Sequence, residues 1–379
     1  MINDLRIHMA ILMYLIGCCA LMAYNAIIIY RKIRNNKDML KSTEKWVKSI
    51  CQQLYKCGAT MISPRHRKRL LKKLGRVEKL IAFSNALECF KIQYGNNLHD
   101  KYVSMLMQSE VFHAVAVEYG RKKNEERAYF AYFISRYPQL AQNEKGINAN
   151  TVDTMFSYIE ASDIYCRANV LKALCKVGDM HGIVNVLQLF SDKNNFLHHR
   201  LLAEDLFSFA GDREVLALHL WGKHKVWNNN IILGVVTFIA MSSDGFKDVF
   251  LPVLQIKSVG AEIRLAIIQY YKKYNYKPVQ HVLIEYLNQT DNYELALEAA
   301  SALSMYPGYS TTDALVSALQ NENWHVRYAA ASSLVALGEY SDGLIAELTN
   351  SDGDALQIVQ YMLAHTSNEK KMNVSEVII

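Results

Sequence analysis

Residues 321–340 read NENWHVRYAAASSLVALGEY, and this stretch decides the fold. Arg327 stands just ahead of the three alanines at 329–331, two leucines follow at helical spacing, and Gly338 closes the run. Apolar residues that recur every three or four positions predict an amphipathic helix, and a glycine after the last of them predicts its end. No catalytic motif has this form.

The arginine-to-glycine pattern recurs upstream. In each copy an arginine is followed eleven residues later by Gly or Asn, the two residues that most readily take the left-handed conformation at a helix end. The further pairs are Arg167 with Gly178, Arg200 with Gly211, and Arg264 with Asn275.

The copies are spaced by one or two periods of about 32 residues. Arg167 and Arg200 are 33 residues apart, and the next two intervals are 64 and 63 residues. Segments 232–245 and 294–308 supply the missing copies, and an apolar second helix follows each copy. Two helices per period predict a helical solenoid.

This pattern resembles HEAT repeats, through the Val326 and Arg327 pair, the alanines where helices cross closely, and the Leu/Gly ending. The resemblance covers about residues 150–365, as six repeats and a terminal helix. An ankyrin array is disfavoured because its TPLH-type turn is missing, and tetratricopeptide repeats are the nearest alternative. The resemblance implies an all-α fold with a right-handed α-α superhelix. It also implies that the repeated arginines bridge neighbouring repeats rather than bind a ligand.

Residues 7–30, IHMAILMYLIGCCALMAYNAIIIY, predict one transmembrane helix ahead of the solenoid. The length suits a bilayer, which needs about 20 residues, and exceeds a signal-peptide core of about 7–15. The basic stretch RKIRNNK follows at residues 31–37, so the positive-inside rule predicts that the C-terminal body is cytoplasmic. Seven cysteines without paired spacing agree with a reducing compartment.

One alternative for this segment is a lipoprotein. Leu15-Ile16-Gly17-Cys18 resembles a bacterial lipobox, in which Cys18 would be lipidated after cleavage. A mature lipoprotein normally continues with polar residues, whereas ALMAYNAIII follows here. The uncleaved anchor is therefore the preferred interpretation.

Basic residues concentrate near the N-terminus. Residues 1–79 hold 17 Lys and Arg against 4 Asp and Glu, whereas the rest of the chain is mildly acidic. Ser63 and Pro64 predict the start of a basic helix over residues 63–80. We predict that its cations bind anionic lipid headgroups, with nucleic acid and an ordinary solvated face as alternatives. These cations are Arg65, Arg67, Lys68, Arg69, Lys72, Lys73 and Arg76.

A second candidate site lies at the end of a second helix, which in a HEAT solenoid lines the concave surface. Aromatic and basic residues there suit contact with a partner protein, and inter-repeat packing is the alternative. No metal site is predicted, since adjacent His198 and His199 point about 100° apart on a helix and have no third ligand nearby. The candidate partner-binding residues are His219, Trp221, His224 and Trp227.

The expected organisation has five parts. They are a membrane anchor with a basic stop at 1–37, a basic juxtamembrane helical segment at 38–80, degenerate capping repeats at 81–160, HEAT-like repeats at 161–365, and a flexible tail at 366–379.

The function predicted from these features is that of a non-catalytic, membrane-anchored adaptor without a cofactor or small-molecule substrate. No nucleotide-binding, hydrolase or metalloprotease motif occurs in the sequence. Small bacterial HEAT proteins with one anchor look like accessory subunits, so the expected partner is a membrane enzyme or export complex, such as a glycosyltransferase. The alternatives are a nucleic-acid-binding HEAT-like protein that uses residues 65–76 and a HEAT-like lyase.

Overall fold

The computed structural model describes residues 2–57, 61–143, 146–160, 163–194, 197–288, 292–338 and 356–364, with backbone only at 2–11, 56 and 57. The predicted second helix at 341–350 and tail at 366–379 lie outside these residues. Within them the chain is almost entirely helical, and residues 356–364 add a last helical stretch. The helices are α1 Ile2–Cys57, α2 Pro64–Leu74, α3 Val77–Tyr94, α4 Asn96–Gln108, α5 Val111–Gly120, α6 Asn124–Arg136, α7 Ala149–Ser157, α8 Ile164–Val177, α9 Met180–Asp192, α10 His199–Phe207, α11 Arg213–Trp221, α12 Asn229–Ser242, α13 Lys247–Gln255, α14 Ala261–Lys273, α15 Gln280–Leu287, α16 Tyr293–Leu303, α17 Tyr309–Ala318 and α18 Trp324–Leu337.

The chain forms two compact units, Met1–Ile183 and Val184–Ile379. The expected boundary at 160/161 falls ahead of α8, which belongs to the first unit. A two-stranded antiparallel hairpin, β1 at Gln142–Asn143 and β2 at Gly146–Ile147, precedes α7.

The first unit is built around the C-terminal part of α1. Trp46 of α1 packs edge-on against Phe83 of α3, with ring centroids 5.1 Å apart. Phe112 and Phe133 extend this aromatic cluster, and their rings stack at 5.4 Å. All four side chains are buried, so the cluster joins α1, α3, α5 and α6 into one core.

Turns separate the helices at two places in this unit. The segment at 100–120 forms α4 and α5, because Glu110 takes a left-handed conformation with φ of 49° between them. The basic helix expected over 63–80 ends at Leu74, and α3 starts at Val77. Gly75 lies against the exposed Glu118 side chain, whose Oε1 would be 2.0 Å from a Cβ at this position, so a larger residue would require that side chain to move.

The second unit contains four of the six predicted helix pairs in full, together with α18, the first helix of another. First helices α10, α12, α14, α16 and α18 pack against one another in order, and the second helices α11, α13, α15 and α17 alternate with them along the chain. The four complete pairs therefore fold as consecutive α-hairpins, and the prediction of an all-α, HEAT-like helical repeat is confirmed.

The alanines of the opening stretch let neighbouring helices approach closely. Ala330 and Ala331 on α18 are fully buried, and α18 packs against α16, where Ala299 and Ala300 are also fully buried. Gly234 has the same role between α12 and α10. A Cβ at Gly234 would lie 2.3 Å from the nearest methyl carbon of Leu202.

Side-chain hydroxyl groups join consecutive repeats through main-chain carbonyls. The Tyr286 hydroxyl donates to the Leu254 carbonyl at 2.5 Å and thereby links second helices α15 and α13. The hydroxyl of Ser333 on α18 donates at 2.8 Å to a carbonyl of α16, and the hydroxyl of Tyr306, which follows α16, donates at 2.8 Å to a carbonyl of α14. Each such bond contributes about 1 kcal/mol to the free energy of unfolding.

The helix ends follow the predicted pattern in two of four copies. Gly178 and Gly338 end α8 and α18 in the left-handed conformation, with φ of 87° and 75°. The prediction is wrong for Gly211, because α10 already ends at Phe207 and Gly211 directly precedes Asp212, the N-cap of α11. It is also wrong for Asn275, whose φ is not positive and whose side-chain amide instead donates to the Met305 carbonyl at 2.7 Å.

Candidate functional site

The predicted start of α2 is confirmed. The Ser63 side chain accepts a hydrogen bond from the His66 backbone N–H, and Pro64 occupies the first helical position. Leu70 and Leu74 are buried, which directs the helix's cations outward. Of the seven predicted cations, Arg69 is half-buried and the other six are exposed.

The seven cations do not act as one surface. Arg76 lies in the turn ahead of α3 rather than on α2, because the helix stops at Leu74. Arg67 donates from Nε to the Ser109 carbonyl at 3.4 Å. Arg69 and Lys73 instead turn toward α1.

Arg69 and Lys73 line a cavity of about 260 Å³ between α1, α2 and α3, here called the basic cavity. Three further lysines that sequence analysis did not select contribute from α1 and α3. A repeat of lysines at four-residue spacing on α1, which puts both on one helix face, was the available indication. The lining residues are Asp38, Lys41, Ser42, Lys45, Trp46, Arg69, Lys73 and Lys79.

Trp46 holds two of these cations in place. Its buried ring lies 5.3 Å from the Arg69 guanidinium carbon and 5.8 Å from the Lys73 Nζ. Both distances suit cation–π attraction. Arg69 also donates to the Ser49 hydroxyl at 3.0 Å, so its orientation is set by two residues of α1.

The basic cavity carries net positive charge, because five cations and one carboxylate, that of Asp38, line it. None of its five cations forms an ion pair among the residues that the structure describes. Partial burial, and then the charges of Arg69, Lys79, Lys45 and Lys72, lower the pKa of Lys73. A bound anion would relieve this repulsion.

A buried histidine lies behind the cavity. His66 Nε2 is hydrogen-bonded to the Tyr102 hydroxyl at 2.8 Å, and the Ser49 hydroxyl lies 3.4 Å from Nδ1. Burial, followed by the charge of Arg69, lowers the pKa of His66 to about 4. The imidazole is therefore neutral at physiological pH and joins α1, α2 and α4 structurally.

The predicted partner-binding residues fall into two environments. Trp221 is buried, with its ring stacked on His224 at 4.3 Å and edge-on to Phe250 at 4.9 Å. Trp227 is buried and donates from its indole N–H to Gln188 at 3.0 Å. These two side chains pack between helices, and His219 is the exposed member of the set.

Exposed apolar residues occur together with the exposed His219 on two successive second helices. Val215 and Leu218 on α11 are 49% and 58% exposed, and Val249 and Ile256 on and just after α13 are 38% and 48% exposed. The Trp221–Phe250 contact holds α11 against α13, so these side chains belong to adjacent helices. We call them, with His219, the second-helix face.

The repeated arginines differ in what they contact. Arg327 donates from Nη1 to the Asn321 and Glu322 carbonyls at 2.8 and 3.1 Å, which lie in the linker between α17 and α18. Arg264 lies over the Tyr286 ring at 5.8 Å. Arg167 is half-buried, whereas Arg200 is exposed. The contact of Arg327 agrees with the predicted bridging role, which stays a prediction for the set.

The described residues contain no group of three or more His, Cys, Asp and Glu able to hold a metal ion. His198 caps α10 by accepting a hydrogen bond from the Arg200 backbone N–H at 3.2 Å. Its ring stacks on that of His199.

Comparison with protein families identifies one similarity. A model of HEAT repeats matches residues 280–369, which include α15 to α18. No curated protein matches the chain. The match and the paired helices together support a HEAT-like helical repeat, a type of protein that commonly mediates protein interactions.

Among the described helices, α1 is the one that is long and apolar enough to cross a membrane. Where its side chains are described, from Leu12 onward, none of the residues in its most apolar 18-residue stretch is buried. A membrane span and a signal sequence both fit this N-terminal helix.

Proposed function

We propose that this protein is a membrane-anchored, non-catalytic scaffold. In this proposal α1 spans the bilayer, and the helical repeat binds a partner protein at the same membrane. The partner is an integral membrane enzyme or an export or synthesis complex, and a glycosyltransferase is one example.

The observation that carries the anchor is the exposure of the first part of α1. Large apolar side chains are exposed from Leu12 to Tyr30, with Met13, Tyr14 and Leu21 all more than 60% exposed. An apolar helix of this length gains its burial from a bilayer. The same helix continues without a break into the core at Trp46, so it would hold the first unit rigidly against the membrane.

Charge supports a cytoplasmic body. Arg31, Lys32, Arg34 and Lys37 follow the apolar stretch directly and are exposed, as the positive-inside rule requires of a cytoplasmic flank. The exposed cations of α2 add to the attraction of this unit to anionic headgroups, by about 1 kcal/mol for each cation close to the surface. Lipidation at Cys18 is the alternative form of anchoring.

The second-helix face supports protein binding. Leu218 and Val215 add exposed apolar area on α11, and His219 supplies a polar group beside them. Apolar side chains grouped on adjacent helices are typical of surfaces that a partner covers. HEAT repeats are generally scaffolds, which agrees with a role without catalysis.

Affinity purification of the full-length chain from membranes in mild detergent tests this function. Leu218→Asp is compared with Leu201→Asp, since both leucines are about half exposed, the first on a second helix and the other on first helix α10. We expect one stoichiometric membrane protein with the wild type and with Leu201→Asp, and its loss with Leu218→Asp. If no membrane protein is retained, or both variants lose it equally, the scaffold function is wrong.

A further inference from the structure

We infer that the basic cavity is a binding site for a phosphate-bearing anion. Its positive charges come from three helices that converge on one small space, and sequence analysis had singled out only those of α2. The inference concerns a ligand site in the first unit and does not depend on the second-helix face.

The arrangement of charge selects an anion. Lys41 and Lys45 from α1, Lys73 from α2 and Lys79 from α3 all line the cavity beside Arg69, and Asp38 is the one carboxylate among the lining residues. Like charges held this close repel one another, which costs free energy unless a counter-charge is bound. A phosphate group carries up to two negative charges and accepts several hydrogen bonds from ammonium and guanidinium groups.

Two groups of the cavity, Trp46 and Arg69, are held in place before binding, whereas Lys41, Lys45 and Lys73 are exposed side chains. Trp46 is 2% exposed and forms part of the lining, where its ring lies within 6 Å of the Arg69 and Lys73 cations. The hydrogen bond from Arg69 to Ser49 fixes the guanidinium further. Groups held in position before binding lose less conformational entropy when the ligand arrives.

Size limits the ligand to a small group. The cavity volume of about 260 Å³ lies just below the ~300–1,000 Å³ of pockets for drug-sized molecules. A phosphate monoester or a diphosphate suits this space, whereas a nucleic-acid helix would need an extended surface.

Two sources supply such a phosphate, and the position on α1 allows both. At ~1.5 Å per residue, Lys41 and Lys45 lie about 17 and 22 Å beyond Tyr30 along the helix axis. If α1 is the membrane anchor proposed above, the cavity lies among the first packed residues on leaving the bilayer, within reach of a lipid headgroup when α1 tilts. A soluble phosphate ester would enter the same cavity from water.

Isothermal titration calorimetry of the full-length protein in neutral detergent tests the site. The probes are inorganic pyrophosphate for the soluble source and dioctanoyl phosphatidic acid for the lipid source, with dioctanoyl phosphatidylcholine as the uncharged comparison. The double variant Lys45→Gln/Lys73→Gln removes two cavity charges. Lys48→Gln/Lys68→Gln is the matched control, because it removes two exposed charges from the same two helices outside the basic cavity.

We expect at least one charged probe to bind with a dissociation constant that rises about tenfold in the cavity variant and less than about threefold in the control. Pyrophosphate binding would assign a soluble ligand, and binding of phosphatidic acid alone would assign a headgroup. Equal weakening in both double variants would mean diffuse attraction and would overturn the inference. Absence of binding by both charged probes would overturn it as well. The purification with Leu218→Asp reports on the scaffold function separately.

Discussion

Lowering the pH should decrease the stability of the first unit because of the buried His66. The imidazole is buried between Ser49 and Tyr102, and its pKa is lowered from 6.5 to about 4. In the unfolded chain the same group keeps the ordinary value. Above pH 6.5 His66 is neutral in both states, so it causes no pH dependence there. Between pH 6.5 and pH 4 the unfolded state takes up a proton that the folded state does not, and stability falls.

The size of the effect follows from the two pKa values. Each pH unit between them is equivalent to about 1.4 kcal/mol, so the free energy of opening should decrease by about 3 kcal/mol from pH 6.5 to pH 4. Tyr102 adds no titration in this range, because burial raises the pKa of its hydroxyl far above neutral.

Hydrogen–deuterium exchange of the full-length protein measures this, through peptides from α2 and α4 after correction for the intrinsic exchange rate. Other carboxylates titrate in the same range, so the comparison is with His66→Gln, whose amide can still form hydrogen bonds and does not titrate. The wild type should lose about 3 kcal/mol more than the variant between the two pH values. Equal losses in the two proteins would refute the assigned role of His66.

Two further changes test the contacts between repeats by thermal unfolding. Tyr286→Phe should destabilise the second unit by about 1 kcal/mol, because it leaves the buried Leu254 carbonyl without its donor; an unchanged melting temperature would show that the bond contributes nothing. Gly234→Ala should cost about 1–3 kcal/mol, since the new methyl group would displace the Leu202 side chain and separate α10 from α12. The same change at the exposed Gly222, where no atom lies closer than 3.4 Å to the new Cβ, is the control and should have little effect.

The repeat could be predicted because the spacing of arginine, apolar residues and glycine within each short segment indicates a helix and its end. The interval between Arg327 and Gly338 fixes one helix and its left-handed end, and repetition of that interval fixes the others. The helix ends at Gly211 and Asn275 could not be predicted in this way. Neither residue forms a left-handed turn. Gly211 lies against the Phe209 ring, and the Asn275 side chain donates a hydrogen bond to the Met305 carbonyl.

The basic cavity was only half predictable. Arg69 and Lys73 belong to a dense run of cations that composition reveals directly. Lys45 and Trp46 lie more than 20 residues upstream, and only the packing of α2 along α1 brings them to the same place. The proximity of Gly75 to the Glu118 side chain of α5 likewise depends on packing and is not indicated by the sequence.

The partner-binding set illustrates a different limit. Sequence places His219, Trp221, His224 and Trp227 together near the end of one helix, and both tryptophans turn out to be buried. The exposed apolar residues beside them, such as Leu218 and Val226, are common residue types that a sequence pattern does not mark as contact residues. Only the solvent exposure of each side chain separates packing residues from contact residues.

Anchoring by α1 underlies the whole account, and alkaline carbonate extraction of membranes tests it most directly. The full-length chain and its Cys18→Ser variant are extracted in parallel, and the fraction that stays with the membrane is measured. We predict that both remain in the membrane pellet at full-length mass, because the apolar helix itself holds them there. Release of the wild type would contradict the anchor, and release of Cys18→Ser alone would show that lipidation, rather than a spanning helix, attaches the protein.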